Sequence, residues 1–263
     1  MAHSVQAFDS HCHLQDPAFD PDREEVYQRA RAAGLNLVVA GYDLASSEAA
    51  VAFAAGHAGV WALVGVHPHE AAQTLAEHPD WEERLAALAG QPRVAGIGEI
   101  GLDYHYDHSP REVQRTVFRR QLALAARLGR PVAIHTREAE EDTAAILAEA
   151  TPPASGVIHC FTGSAGFARL CLDRGFALSF AGVLTFKNAG ALREVAAAVP
   201  ADRLLIETDA PYLSPVPWRG RRNEPVRVLR VAEVLAAVRG QETETVLALT
   251  AANTRSVFRL GEA

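Results

Sequence analysis

Two histidines stand one residue apart where a short apolar run ends, in the stretch FDSHCH at residues 8–13. Side chains of a β-strand alternate between its two faces, so His11 and His13 would project from the same face. Two neutral imidazoles on one face can bind one cation through their ring nitrogens. Taken alone, the pair is better explained as a polar strand end whose histidines hydrogen-bond locally.

Four later strand-like segments also end in potential metal ligands, which are Glu99, His135, His159 and Asp209. In a β/α barrel the C-terminal ends of the strands meet at one mouth, where such barrels build active sites. A histidine hydrogen-bonded to the backbone could explain His135 or His159 separately, but not the whole set. Six ligands are too many for one tetrahedral catalytic ion and suit two ions, with Glu99 as the best bridging carboxylate.

The elements that must position these residues alternate between short apolar, β-branched runs and amphipathic segments. The eight candidate strands are residues 5–10, 35–41, 60–66, 94–100, 131–135, 156–160, 176–181 and 204–208. The helix-like segments are residues 22–33, 46–57, 80–88, 111–128, 138–149, 165–174, 189–199, 226–238 and 242–258. This alternation predicts an α/β fold, a single (β/α)8 TIM barrel domain over residues 1–263 with an extra C-terminal helix.

Length and composition agree with that fold. The chain has 263 residues, with 49% hydrophobic and 22% charged, which is ordinary for a soluble globular protein. A typical barrel of this kind has about 250 residues. The main competitor is an open doubly wound sheet, but no Gly-x-Gly-x-x-Gly follows the first strand to make a dinucleotide site.

Charge and cysteine usage bound the cellular context. A net charge of -7 argues against a protein that coats nucleic acid non-specifically. Three cysteines without CxxC spacing make no disulfide framework and fit a reducing compartment. The first residues carry no apolar signal region, and no long uncharged apolar run follows. We therefore expect a cytoplasmic enzyme without membrane association or an obligate protein partner, acting as a monomer.

Two features after the strands could contact a substrate. His67 follows the third strand, and the bend imposed by the next proline could aim it into the mouth to meet a phosphate oxygen. The only dense basic cluster is the loop at residues 218–225, with Arg219, Arg221 and Arg222. Arginine forks match phosphate geometry, so the loop could hold a nucleic acid backbone. The alternative is a solvated charge run in which Glu224 forms an ion pair.

Two further carboxylates lie near the ligands. Glu207 lies two residues before Asp209 and should share its inward face, one layer deeper, where it would support a ligand. Asp103 follows Glu99 and either holds a ligand histidine or caps a turn. The sequence does not separate these two roles for Asp103.

The motifs FDSHCHL, GVHPH, GEIGLDY, IHT, HCFTG, TFKNA, ETDAPYL and RGRRNEP together resemble the TatD family of metal-dependent deoxyribonucleases, among the amidohydrolase-type barrels. The resemblance covers about residues 8–258. It implies two ion sites: one is formed by His11, His13, Glu99 and Asp209, and the other by Glu99, His135 and His159. Trp218 stands where many relatives have histidine and His105 where a second aromatic is common, which bears on substrate preference.

Together with the resemblance, these features predict metal-dependent hydrolysis of phosphodiester bonds in DNA, by a nuclease that we expect to be an exonuclease acting on single strands or ends. Glu99 and Asp209 are the expected catalytic residues, with Asp209 taking the proton of the attacking water. The expected cofactors are two divalent cations per chain, with Mg, Mn and Zn left open.

Two other function classes are alternatives to a nuclease. A small-molecule amide or ester hydrolase could use the same binuclear barrel, and activity on oligonucleotides against a panel of amides would separate it from a nuclease. A non-catalytic nucleic-acid-binding protein is disfavoured because every expected ligand is present.

Overall fold

The computed structural model describes residues 7–261, in which eight parallel strands form one sheet in chain order. The strands are β1 (Ala7–Cys12), β2 (Leu35–Ala40), β3 (Val60–Val64), β4 (Val94–Asp103), β5 (Val132–Arg137), β6 (Gly156–Ile158), β7 (Ala177–Phe180) and β8 (Leu204–Ile206). The two edges meet where Asp209 N donates to His11 O at 2.9 Å and His13 N donates to Ala210 O at 2.7 Å. The predicted (β/α)8 TIM barrel is therefore confirmed.

Ten α-helices lie within residues 7–261. They are α1 (Arg23–Ala32), α2 (Leu44–Gly56), α3 (Ala71–Glu77), α4 (Trp81–Ala89), α5 (Arg111–Leu128), α6 (Glu140–Glu149), α7 (Ala165–Asp173), α8 (Gly190–Ala198), α9 (Val228–Arg239) and α10 (Thr243–Phe258). The nine predicted helices are all present. The sequence analysis missed α3, because seven residues are too few to show a helical period. None of these helices has the length and apolar character needed to cross a bilayer.

The barrel core has two layers. An outer layer packs the strands against the helices, and an inner layer fills the start of the barrel with Phe8, Trp61 and Leu205. Val257 and Phe258 of α10 belong to the same inner layer, so the extra C-terminal helix covers the N-terminal end of the barrel. Strands buried on both faces in this way read as continuous apolar runs, which is why they were identifiable.

Several strand limits differ from the prediction. β1 runs to Cys12 instead of residue 10, while residues 5 and 6 lie outside the described residues. β6 and β8 end earlier than predicted, so His159 and Asp209 lie on the loops that follow them. Cys160 (φ 42°) and Asp209 (φ 56°) adopt left-handed backbone conformations, which cannot continue a strand.

Candidate metal centre

The structure brings the six predicted ligands together at the C-terminal mouth of the barrel. They are His11 on β1, His13 just after it, Glu99 on β4, His135 on β5, His159 after β6 and Asp209 after β8. Four of them are buried, whereas His135 and Asp209 keep 17% and 14% of their side-chain surface exposed. The centre is therefore buried at its base and open at the mouth.

Glu99 lies between two sets of histidines. Its Oε2 lies 3.3 Å from His11 Nε2 and 3.5 Å from His13 Nε2. Its Oε1 lies 2.9 Å from His135 Nδ1 and 2.8 Å from His159 Nε2. One carboxylate with a separate set of imidazoles at each oxygen is the arrangement that a bridge between two cations requires.

Three of the histidines have their outer ring nitrogen fixed by an acceptor. His13 Nδ1 contacts Ala40 O at 2.7 Å, His159 Nδ1 contacts Glu207 Oε1 at 3.2 Å, and His135 Nε2 contacts Asp103 Oδ2 at 3.2 Å. Because those oxygens accept, each neutral ring carries its proton outward and turns a lone pair toward the Glu99 side. A lone pair this close to a carboxylate needs a proton or a cation between them.

His11 supplies an independent test of fit to a metal. Neither of its ring nitrogens has a hydrogen-bond partner, although the side chain is buried. Its ring stacks on His159 with centroids 3.9 Å apart, which fixes its direction. Buried polar atoms without partners are costly, and a cation would satisfy Nε2, the ring nitrogen of His11 that faces Glu99. Imidazole nitrogens and carboxylate oxygens are the ligands of divalent zinc and manganese, so the residues fit such an ion.

The charges of the centre favour cations. Burial alone would raise the pKa of Glu99. The nearby imidazoles lower that pKa well below its usual range, those of His159 and His67 most and those of His11 and His135 next. Burial favours neutral His13, yet Asp209 and Glu99 raise the pKa of His13 to about 9. In turn His13 lowers the pKa of Asp209 against the effect of burial. Both carboxylates are therefore ionised, and cations that bind here displace imidazole protons.

Glu207 contacts a ligand as predicted. Its Oε1 accepts from His159 Nδ1 at 3.2 Å and from the Cys160 backbone N–H at 2.8 Å. Glu207 is fully buried, one layer below Asp209. It therefore fixes both the ring orientation of His159 and the left-handed turn that follows.

Asp103 has both of the roles that the sequence left open. Its Oδ2 lies 3.2 Å from His135 Nε2 and 3.0 Å from His69 Nε2. Its Oδ1 accepts the backbone N–H of His105 at 3.0 Å and that of Tyr106 at 2.9 Å, which caps the turn after β4. The turn thus holds the carboxylate that orients His135.

Asp9 is a residue of the site that the sequence analysis missed. It is fully buried, and its Oδ1 accepts from Thr208 N at 2.8 Å while its Oδ2 contacts the Thr208 hydroxyl. Burial raises the pKa of Asp9 well above its usual range. Asp9 therefore ties the strand that carries His11 to the residue before Asp209. The available signal was its place two residues before His11, on the same strand face.

His67 lies at the centre but presents a proton. Its Nε2 is 3.3 Å from Glu99 Oε1, close enough to group with Glu99 and His135 as possible ligands. However, its Nδ1 accepts the backbone N–H of His69 at 3.1 Å, which leaves the ring proton on Nε2. Burial lowers the pKa of His67 to about 4, so the ring is neutral. It is therefore suited to donate a hydrogen bond at the mouth.

The basic loop divides into engaged and exposed arginines. Arg222 makes two bonds to the Asp22 carboxylate, at 2.7 and 2.6 Å, and stacks over Phe19. In contrast, Arg219 and Arg221 are exposed and form no ion pair with a described residue, although Arg219 lies over the Phe186 ring at 4.1 Å. We therefore keep only the exposed pair as candidate phosphate contacts, because Arg222 already has a carboxylate partner.

The loop is held beside the centre by Asn223. Its side-chain amide donates to Thr208 O at 3.0 Å and to Tyr212 O at 2.8 Å, on either side of Asp209. Asn223 is fully buried. The exposed arginines are therefore anchored next to the mouth.

Comparison with known proteins points to one family. The family described as TatD related DNase matches residues 8–259. The metal-dependent hydrolase YabD of Bacillus subtilis, named as uncharacterized, is 43% identical over 96% of this chain and 99% of its own. A Klebsiella pneumoniae protein named 3'-5' ssDNA/RNA exonuclease TatD is 40% identical over 95% of this chain and 97% of its own.

A solved structure agrees with the sequence relatives. The crystal structure of YJJV, a TatD homologue from Escherichia coli K12, matches with a TM-score of 0.90 at 30% identity, covering 98% of this chain and 99% of that one. The chain therefore belongs to the TatD related DNase family and is a metal-dependent hydrolase.

Proposed function

We propose that the protein hydrolyses phosphodiester bonds at the unpaired ends of DNA, with two divalent cations held at the barrel mouth. The observation that carries the proposal is the position of Glu99. Its two carboxylate oxygens face separate sets of imidazole nitrogens at 2.8 to 3.5 Å. Paired cations around one carboxylate can stabilise both the attacking and the leaving oxygen of a phosphoryl displacement.

The ligand sets follow from the two faces of Glu99. His11, His13 and Asp209 would hold one cation with Oε2, and His135 and His159 would hold the other with Oε1. When bound, such cations supply Lewis-acid activation of water and offset the negative charge that develops on the phosphate. The support for this assignment is the set of lone pairs that the acceptors behind His13, His135 and His159 aim inward.

Asp209 and His67 take the proton-handling roles. Asp209 is ionised and partly exposed, 3.3 Å from His13 Nε2, so it can accept the proton of an attacking water at the mouth. His67 presents its Nε2 proton beside Glu99 and can donate it as a hydrogen bond to a non-bridging phosphate oxygen. No covalent intermediate is required.

DNA is proposed as the substrate because of the loop and the relatives. Exposed Arg219 and Arg221 lie beside the mouth, where a strand entering the centre would pass. Guanidinium groups bind backbone phosphates without reading sequence. The Klebsiella relative is named an exonuclease of single-stranded DNA and RNA, which favours a nuclease over a small-molecule amide or ester hydrolase.

The direct test is metal removal and replacement. Protein stripped with a chelator should not cleave a labelled single-stranded oligonucleotide, and added Mg²⁺, Mn²⁺ or Zn²⁺ should restore the cleavage. Elemental analysis should find two equivalents per chain. Cleavage that survives stripping would contradict the metal chemistry, and hydrolysis confined to amides or carboxylic esters would contradict the DNA substrate.

A further inference from the structure

A cavity of about 230 Å³ lies at the opposite end of the barrel from the metal centre. It opens where the strands begin and α10 ends. Three arginines line it, each from a different segment: Arg93 precedes β4, Arg130 precedes β5 and Arg259 follows α10. Trp61 and Phe258 also border it, but both are buried in the inner layer of the core. This end of the barrel has no part in the proposed hydrolysis.

Each guanidinium is held by one backbone carbonyl. Arg130 Nη1 donates to Val94 O at 3.1 Å, Arg259 Nη2 donates to Ala154 O at 2.9 Å, and Arg93 Nη1 donates to Val60 O at 3.4 Å. A guanidinium has five N–H donors, so each of the three keeps donors for a further partner. The carbonyl bonds fix the arginines without neutralising them.

Carboxylates are missing from this cavity over residues 7–261. None of the three arginines forms an ion pair with a described Asp or Glu, and no acidic residue is in the described lining. The chain as a whole has 32 acidic and 25 basic residues, so an acidic partner was available in composition. Arg93 and Arg259 are exposed, so solvent screens part of the repulsion among the three like charges, and a bound anion would offset the rest.

Backbone conformation adds to the cost of this arrangement. Arg93 (φ 62°) and Arg259 (φ 51°) both adopt the left-handed conformation that glycine takes most easily. Glycine would relieve that strain but would remove the guanidinium. The bland alternative is that Arg130 and Arg259 only offset the negative ends of α5 and α10. That alternative explains those two separately but not why three arginines line one cavity, since Arg93 follows no helix directly.

We propose that this cavity binds the phosphate group of a small phosphorylated molecule. Guanidinium forks match the tetrahedral oxygens of phosphate and bind them by charge-assisted hydrogen bonds. The volume suits a phosphate with a small substituent and is below that of typical drug-sized pockets.

Binding should be measured without turnover and without the metal centre. We would titrate inorganic phosphate and phenyl phosphate by calorimetry into metal-free protein that carries Glu99→Gln with Arg219→Ala and Arg221→Ala, so that neither cations nor the exposed arginines can hold phosphate at the mouth. We expect saturable binding of one phosphate per chain. This experiment stands whether or not the protein cleaves DNA.

The matched variants locate the site. Arg93→Gln combined with Arg130→Gln should weaken phosphate binding at least tenfold, whereas Arg127→Gln, an exposed arginine of α5 outside the cavity, should leave it unchanged. An unchanged thermal unfolding curve of the ligand-free double variant would show that it is folded. If the double variant does not fold, phosphate binding is measured on a single Arg259→Gln variant instead. Absence of saturable binding, equal affinity in the double variant, or acetate binding as tight as phosphate would overturn the proposal.

Discussion

Glu99 is the residue on which both proposed ion sites depend. Glu99→Gln keeps the size of the side chain but removes the charge shared by the two sets of imidazoles. We expect the bound metal to fall below two per chain and oligonucleotide cleavage to fall by about a thousandfold. Elemental analysis and a nuclease assay would check this. Glu149→Gln, an exposed carboxylate at the end of α6, is the control. Full activity in Glu99→Gln would rule out the bridging role.

His67 tests whether a residue beside the centre is a donor or a ligand. Because its Nδ1 already accepts from His69 N, its Nε2 carries a proton and cannot bind a cation in that tautomer. His67→Ala should therefore lower kcat/KM on oligonucleotides by roughly 10- to 100-fold while both metal equivalents remain bound. A loss of one equivalent would show that His67 is a ligand after all.

Asp103→Asn probes the orientation of His135. The amide oxygen can still cap the turn at His105 and Tyr106, but the amide nitrogen would face His135 Nε2 as a donor. That would move the ring proton to Nδ1, the atom that faces Glu99. We expect metal affinity to fall by about 10- to 100-fold, with little change in the thermal stability of the metal-free protein. Unchanged affinity in a competition titration would reduce Asp103 to a turn cap.

The sequence predicts which residues lie together at the barrel mouth, but it does not predict which ring nitrogen of each histidine faces Glu99. The convergence of the six candidate ligands could be predicted because they lie at strand ends that must meet at the mouth. The tautomers could not, since they depend on distant acceptors such as Ala40 O, 27 residues from His13. Asp9 was missed because its partner Thr208 becomes a neighbour only when the barrel closes.

The elements themselves were largely predictable, and their errors have physical causes. Parallel strands buried on both faces produce apolar runs that mark their positions. The end of the sixth strand was misplaced because the backbone turns left-handed at Cys160, a residue whose type does not announce that conformation. Short α3 was missed for lack of a visible period.

The loop at residues 218–225 yields a prediction with its own control. Arg219→Ala with Arg221→Ala should weaken binding of single-stranded oligonucleotides and reduce the log-log salt slope by about 1.4, at about 0.7 per phosphate. Cleavage of bis(p-nitrophenyl) phosphate, which meets only the metal centre, should persist. Arg222→Ala should instead lower stability, because Asp22 loses its bidentate partner. If the double variant binds oligonucleotides with the same salt dependence as the parent protein, the loop is only a solvated charge run and does not contact phosphates.

For the whole molecule, metal binding and stability are linked. The centre draws ligands from five strand ends, so an ion that binds only the folded chain stabilises the entire barrel. At free metal a thousand times its Kd, one ion contributes about 4 kcal/mol. For a chain of this length, that corresponds to a rise in Tm of roughly 10 °C. Calorimetric scans with chelator and with restored metal would measure it, and identical scans would contradict linkage between the centre and the fold.

The seam where the barrel closes has a consequence for the order of folding. Asp9 and Thr208, which join its two edges, are 199 residues apart in the chain. Contacts of such long range form late because a large loop must first be closed. His11 and His13 lie on the first edge and Asp209 on the last, so a nascent chain cannot complete this ligand set until its final strand has docked. This set can therefore bind its metal ion only after the barrel has closed.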